Sequence, residues 1–158
     1  MDDLKPASAR VVAAAAERGL DIAISRFPEG TRTAADAAAA IGCEVGALAK
    51  SIVLMGDDGP LLVLTSGVNR VDYDKAAAAA GASGVRRADA DEVRAATGYA
   101  IGGTAPFGHP SELTILADRD LLAFDTVWAA AGTPDSVFPL TPDELVRATG
   151  ATVADVAA

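Results

Sequence analysis

Residues 100–109, AIGGTAPFGH, hold two adjacent glycines, a threonine, a proline, a third glycine and the only histidine of the chain. Glycine permits positive φ and close approach of the backbone to a ligand. Successive N–H groups can then converge on an oxygen, as an anion nest or an oxyanion hole. The same residues also suit a tight structural turn whose shape Pro106 fixes. A second candidate is Lys50, one of three lysines, in ALAKSIVLM. Alternation puts Lys50, Ile52 and Leu54 on one face of a strand and Ser51, Val53 and Met55 on the other. Both faces are apolar, so the strand reads as central. A lysine there is costly unless it meets an anion or reaches water. It either snorkels to solvent from the strand end or stands at a pocket mouth, holding a phosphate or carbonyl oxygen. His109 reads either as a base or as a surface or cap residue.

Other chemistries lack their residues. One cysteine and one histidine cannot build the usual N/S zinc site. No Walker A sequence is present, and GYAIGGTAPFG does not match the dinucleotide fingerprint. No GxSxG elbow precedes a helix. Ser51 should point away from the side chain of Lys50, which argues against a Ser/Lys dyad.

Turn and cap signals divide the chain that must position these residues. Helices are expected at 7–20 (Ser8 as N-cap), 33–42 (Thr33 with Asp36 as a capping box, Gly42 at the end), 70–81, 89–98 and 141–150 (Thr141 or Pro142 at its start). Strands are expected at 21–27, 49–56, 61–67, 85–88, 112–118, 126–132, 136–141 and 152–157. The segment DDGP between 49–56 and 61–67 marks a hairpin. Strands in a hairpin and strands between helices together imply one α/β domain over residues 1–158, with a mixed, mostly antiparallel sheet flanked by helices.

The chain has 158 residues and a formal net charge of −9. That length allows a core without disulfides or a structural metal. The acidity disfavours general DNA or RNA binding, which needs clustered Lys and Arg. It leaves room for a protein that grips one RNA end with a few basic side chains. No apolar run is long enough to span a bilayer, and the acidic, polar start MDDLKPASAR is unlike a secretory signal. A cytoplasmic protein without metal or cofactor is expected.

Three separated pieces resemble the YbaK/prolyl-tRNA-editing (ProX-type) family of aminoacyl-tRNA deacylases. TRTAADAAAAIGCEVGALAKSIVLM (31–55) resembles its alanine-rich helix, glycine and Lys-bearing strand. LTSGVNRVDYDKAAAAAG (64–81) resembles its strand, Gly-x-x-Arg-Val-Asp stretch and helix. GYAIGGTAPFGH (98–109) resembles its glycine loop. Residues 129–151 resemble its glycine-centred strand turn and last helix. The family hydrolyses the ester joining a wrong amino acid to the tRNA 3′ end, either as free-standing proteins or as inserts in prolyl-tRNA synthetase. The resemblance implies a free-standing editing hydrolase. Its partners would be the 3′ end of aminoacyl-tRNA and a synthetase such as prolyl-tRNA synthetase.

Lys50 and Gly103 match the family's functional positions. Gly102 and Thr104 join them as catalytic candidates, and Phe27, Ile52, Pro106, Phe107, Gly108 and His109 are candidates for substrate contact. The chemistry is consistent with these residues. An aminoacyl ester is already activated, so orientation and donors aimed at the developing oxyanion suffice without a metal or covalent nucleophile. Editing is needed because a synthetase pocket separates amino acids differing by one methylene by only about 1–3 kcal/mol. The alternative is a non-catalytic module of the same fold that binds aminoacyl-tRNA or a synthetase.

Overall fold

The structure is a computed structural model and describes residues 5–28 and 31–158; the opening MDDL lies outside them. The 49–67 region forms the hairpin that the turn signal implies. Strand β2 (Leu48–Gly56) pairs antiparallel with β3 (Gly59–Ser66), with Lys50 opposite Thr65. Around this pair lie β1 (Ser25–Arg26), β4 (Val85–Arg87), β5 (Thr114–Asp118), β6 (Val127–Ala130), β7 (Ser136–Leu140) and β8 (Thr152–Ala154). The order is β1-β7-β6-β2-β3-β5-β8, and β4 pairs with β2. The β2·β6, β3·β5 and β5·β8 pairs are parallel and the other four antiparallel.

Helices cover both faces. On one side, α1 (Pro6–Glu17), α4 (Ala90–Thr97) and α5 (Pro142–Thr149) bury Val11, Ala15, Val93 and Leu145 against Val53, Leu62, Leu64 and Phe138. On the other, α3 (Tyr73–Ala80) packs Ala76 on Leu54, Leu61 and Val63, and α2 (Ala34–Ile41) packs Ala37 and Ala38 on Leu48. Alternation in β3 divides Leu62 and Leu64 from Leu61 and Val63, as period two requires. Capping boxes start α2 (Thr33, Asp36), α4 (Asp89, Glu92) and α5 (Thr141, Glu144). Each N-cap contributes about 1 kcal/mol.

Several expected boundaries move. Ser8 is not an N-cap: it lies inside α1, where its Oγ donates to Ala131 O at 2.7 Å. Only Ser25–Arg26 of the expected 21–27 strand is paired, opposite Val137 and Ser136 of β7. Residues 70–72 precede α3 as an approach capped by Asp72. Two 3-10 turns, Val45–Ala47 and Arg119–Ala123, have no counterpart in the sequence reading.

One edge of β2 is shared. Leu48 and Ala49 pair with β6, and Leu54–Gly56 pair with β4. Between these two pairings the sheet opens, and the stretch 50–52 has a ladder partner only on the β3 side.

Candidate functional site

The opening in the sheet leads into a cavity of about 420 Å³. Its walls come from the start of α2 (Arg32, Thr33, Ala37), the β2 edge (Lys50, Ser51, Ile52), Arg87, the 101–104 loop and Trp128. The capping box that starts α2 fixes Arg32 and Thr33 at the rim, since the Asp36 carboxylate accepts both of their backbone N–H groups at 3.2 Å. Those bonds hold the Asp36 carboxyl below its ordinary range.

Lys50 sits on the α2/α3 side of β2, as alternation requires. Its Nζ donates to Asn69 O at 3.4 Å. Asn69 is held in turn, with its Nδ2 donating to Asp118 at 2.8 Å and to Asp120 at 2.7 Å. Burial, then Arg87, then Arg70 push the Lys50 ammonium below the usual lysine range. Among the described residues, Arg32, Lys50, Arg70 and Arg87 have no carboxylate within ion-pair distance. Three of these cations line the cavity, and no described lining residue is acidic. In a chain of net charge −9, that local excess suits an anionic ligand, which would restore the Lys50 proton affinity.

The glycine loop is tied at its base and rests on a second turn. Buried Tyr99 donates its hydroxyl to Phe107 O at 2.9 Å, closing residues 99–107 into one unit. Gly102 takes φ +87°, which a side chain rarely adopts. Gly103 does not have positive φ. Instead it lies directly on Thr133, where an added Cβ would stand 2.7 Å from main-chain carbon. Its N–H donates to Ala100 O at 3.0 Å, so that amide is engaged within the loop. Thr104 is buried, with its Oγ1 3.4 Å from Ala100 O. Of the amides of Gly102, Gly103 and Thr104, only that of Gly103 makes such a turn bond among the described residues.

The sequence candidates divide into two groups. Phe27, Lys50, Ile52, Gly102 and Thr104 line the cavity, while Gly103 of the same loop faces Thr133. The others lie elsewhere. Phe107 is core, packed on Phe138 with ring centroids 5.7 Å apart. Gly108 has φ +84° and presses on Tyr99 and Ala14. Pro106, Phe107 and His109 border a separate cavity of about 510 Å³ with Arg18 and Glu112, which shares no lining residue with the first. His109 Nε2 bonds Ala105 O at 2.8 Å, so it braces the loop from behind. Burial chiefly, with Arg18 and Arg10 adding, pushes its imidazole below the usual range against an opposing pull from that carbonyl.

Sequence reading missed Arg32, Arg87, Trp128 and Pro134 in the lining. Arg87 stands in the expected 85–88 strand, but nothing local announces that this strand joins β2.

This layout is that of the YbaK-like trans-editing fold. The chain belongs to the aminoacyl-tRNA editing domain family, whose model matches residues 28–148. It is similar to the crystal structure of a candidate trans-editing enzyme for prolyl-tRNA synthetase, at 45% identity and a TM-score of 0.94, over 99% of each chain. It is also similar to the hypothetical protein APE2540, at 33% identity and a TM-score of 0.85, over 94% of this chain and 99% of that one. The uncharacterized protein YwhH of Bacillus subtilis (strain 168) is 32% identical over 123 residues, 77% of this chain and 78% of that protein.

Proposed function

We propose that this chain is a free-standing hydrolase that cleaves the ester of mischarged aminoacyl-tRNA in the cavity at the β2 opening. The observation that carries the reading is the meeting there of Lys50, the 101–104 loop and the unpaired arginines. Lys50, Arg32 and Arg87 hold phosphates of the tRNA 3′ end. The apolar side chains of Phe27, Ile52 and Trp128 receive the terminal base and the amino-acid side chain. The loop amides of Gly102 and Thr104 face the reacting ester. Bulk acidity is no obstacle, because a single-stranded end needs only a few cations and a surface to stack on.

The extent of the likeness to the candidate trans-editing enzyme, nearly the whole of both chains, supports action in trans. Prolyl-tRNA synthetase is accordingly the expected source of the mischarged tRNA, and the cytoplasm the place of action. The chemistry asks for no cofactor.

The test is a deacylation assay over a panel of mischarged tRNAs. Release of the amino acid from at least one noncognate pair, with the cognate pair spared, is expected. Binding of aminoacyl-tRNA without release would make the protein a non-catalytic module.

A further inference from the structure

In an antiparallel pair a residue turns its N–H and C=O to the same side, and successive residues alternate. Val53 O accepts from Ala88 N–H at 3.0 Å, so Val53 faces the β4 side. Ser51, two residues earlier, faces the same way. There the pairing with β6 has ended at Ala49 and the pairing with β4 begins only at Leu54. Among the described residues, neither the N–H nor the C=O of Ser51 has a protein partner. Its Oγ is buried and has none either. Main-chain groups inside a sheet are nearly always paired, and Ser51 is only half-buried, its main chain at the cavity wall. Three orphan polar atoms on one residue in a cavity wall mark a docking point, and the engaged N–H of Gly103 cannot serve in their place.

We propose that the main chain of Ser51 docks the reacting ester, its N–H donating to the carbonyl oxygen and its C=O accepting from a ribose hydroxyl or the substrate amine. This rests on the deacylase reading above. Water adds through its oxygen to the carbonyl carbon, and the C=O π pair moves onto the oxygen that the Ser51 N–H holds. The pair then returns and the bond from carbon to the ribose oxygen breaks. One water proton passes to that ribose oxygen, and the second leaves the carboxylic acid for solvent. A strand edge held by β3 is a rigid donor, and preorganised donors lower such barriers most.

The experiment replaces residue 51 with the α-hydroxy analogue of serine, which exchanges its N–H for an ester oxygen. Deacylation is expected to fall by about 10²–10³-fold, the effect of losing one oxyanion donor. The melting temperature should fall only modestly: that N–H has no protein acceptor to lose, and the Lys50 C=O, now an ester carbonyl, accepts more weakly from β3 opposite Thr65. In parallel, the Ser51 amide proton resonance is followed while 3′-alanylamino-3′-deoxyadenosine, a non-hydrolysable mimic of the charged tRNA end, is added to saturation. A downfield move is expected. A wild-type protein that deacylates, with an unaffected rate in the ester variant, overturns the proposal. A static Ser51 resonance at saturation overturns it as well. If the wild type releases no amino acid but the resonance moves, the deacylase reading fails while docking at Ser51 stands.

Discussion

Gly103→Ala is expected to damage activity through Thr133 and not through the ligand. The added Cβ would lie 2.7 Å from both Thr133 C and Cα and 2.9 Å from Pro134 N. Carbon contacts settle near 3.5–4.0 Å, so the two segments must part by roughly 0.8 Å. The 133–135 turn is the firmer partner. The Thr133 hydroxyl donates to Asp135 at 2.6 Å and pairs with Ser136 Oγ at the same distance. Arg26 holds the Asp135 carboxylate at 3.0 Å, and Phe27 N–H donates to Asp135 O at 2.7 Å. The 100–104 loop therefore yields. A displacement near 1 Å at a reacting centre costs about 10²-fold in rate. Overpacking of this kind costs about 1–3 kcal/mol, and each kcal/mol lowers Tm by about 2–4 °C at this length. The Tm should thus fall by about 2–12 °C. Gly102→Ala is the contrast. Its Cβ would meet nothing nearer than Pro134 at 3.8 Å, and the penalty is left-handed backbone strain of about 1–2 kcal/mol. It should lose comparable stability but less activity. Thermal melts and single-turnover deacylation on both variants decide the matter. A Gly103→Ala protein with wild-type Tm and wild-type rate would refute the packing argument.

Lys50→Ala should fold normally and lose at least about 10–100-fold in deacylation, the effect of a 1.4–3 kcal/mol charged contact; a normal rate in the folded variant removes Lys50 from the site. Burial, Arg87 and Arg70 lower the native proton affinity of Lys50, so native-state stability rises as pH climbs from that lowered value towards about 10.4. Lys50→Met should consequently be more stable than wild type at neutral pH, with the gain shrinking as pH approaches that of free lysine, as followed by urea unfolding at several pH values. Arg87→Ala should weaken binding of a 3′-CCA oligonucleotide and flatten the salt dependence of its log K by about 0.7, one single-strand phosphate contact. His109→Ala should cost less than about 100-fold, the lower end for losing a general base, and should leave the pH–rate profile without a missing step near neutrality.

The elements were legible where the signal is local. Thr33 with Asp36, and Gly42 in the left-handed conformation, start and stop α2 where the sequence places them. DDGP closes the β2–β3 hairpin, and alternation assigns the faces of β2 correctly. Ser8 misled because a serine ahead of an apolar run resembles a cap, while its actual partner, Ala131, lies 123 residues away. The 21–27 stretch alternates well, but Ile22 and Ile24 pack on the core while their backbone finds no neighbouring strand. A pattern reports which side chains are buried, not which strands are adjacent.

The same distinction governs the site. The glycine loop announced itself, but Phe107, Gly108 and His109, expected to face the ligand, instead hold the loop. Phe107 fills the core, Gly108 admits Tyr99, and His109 ties back to Ala105. A loop that must present a few backbone atoms needs more residues to fix it than to do its work, and in a sequence the two kinds look alike. The opening in β2 left no local mark at all. It arises because β6 departs after Ala49 and β4 arrives only at Leu54, two pairings set by separate segments far downstream in the chain. Ser51 looks like an ordinary inward strand serine. Its unpaired main chain, unlike its side chain, is a property of the topology, and a side-chain inventory passes over it. On the Ser51 proposal, wide variation in side chains around the ester would be tolerated, provided that the β2 edge stays open and the loop stays seated on the 133–135 turn.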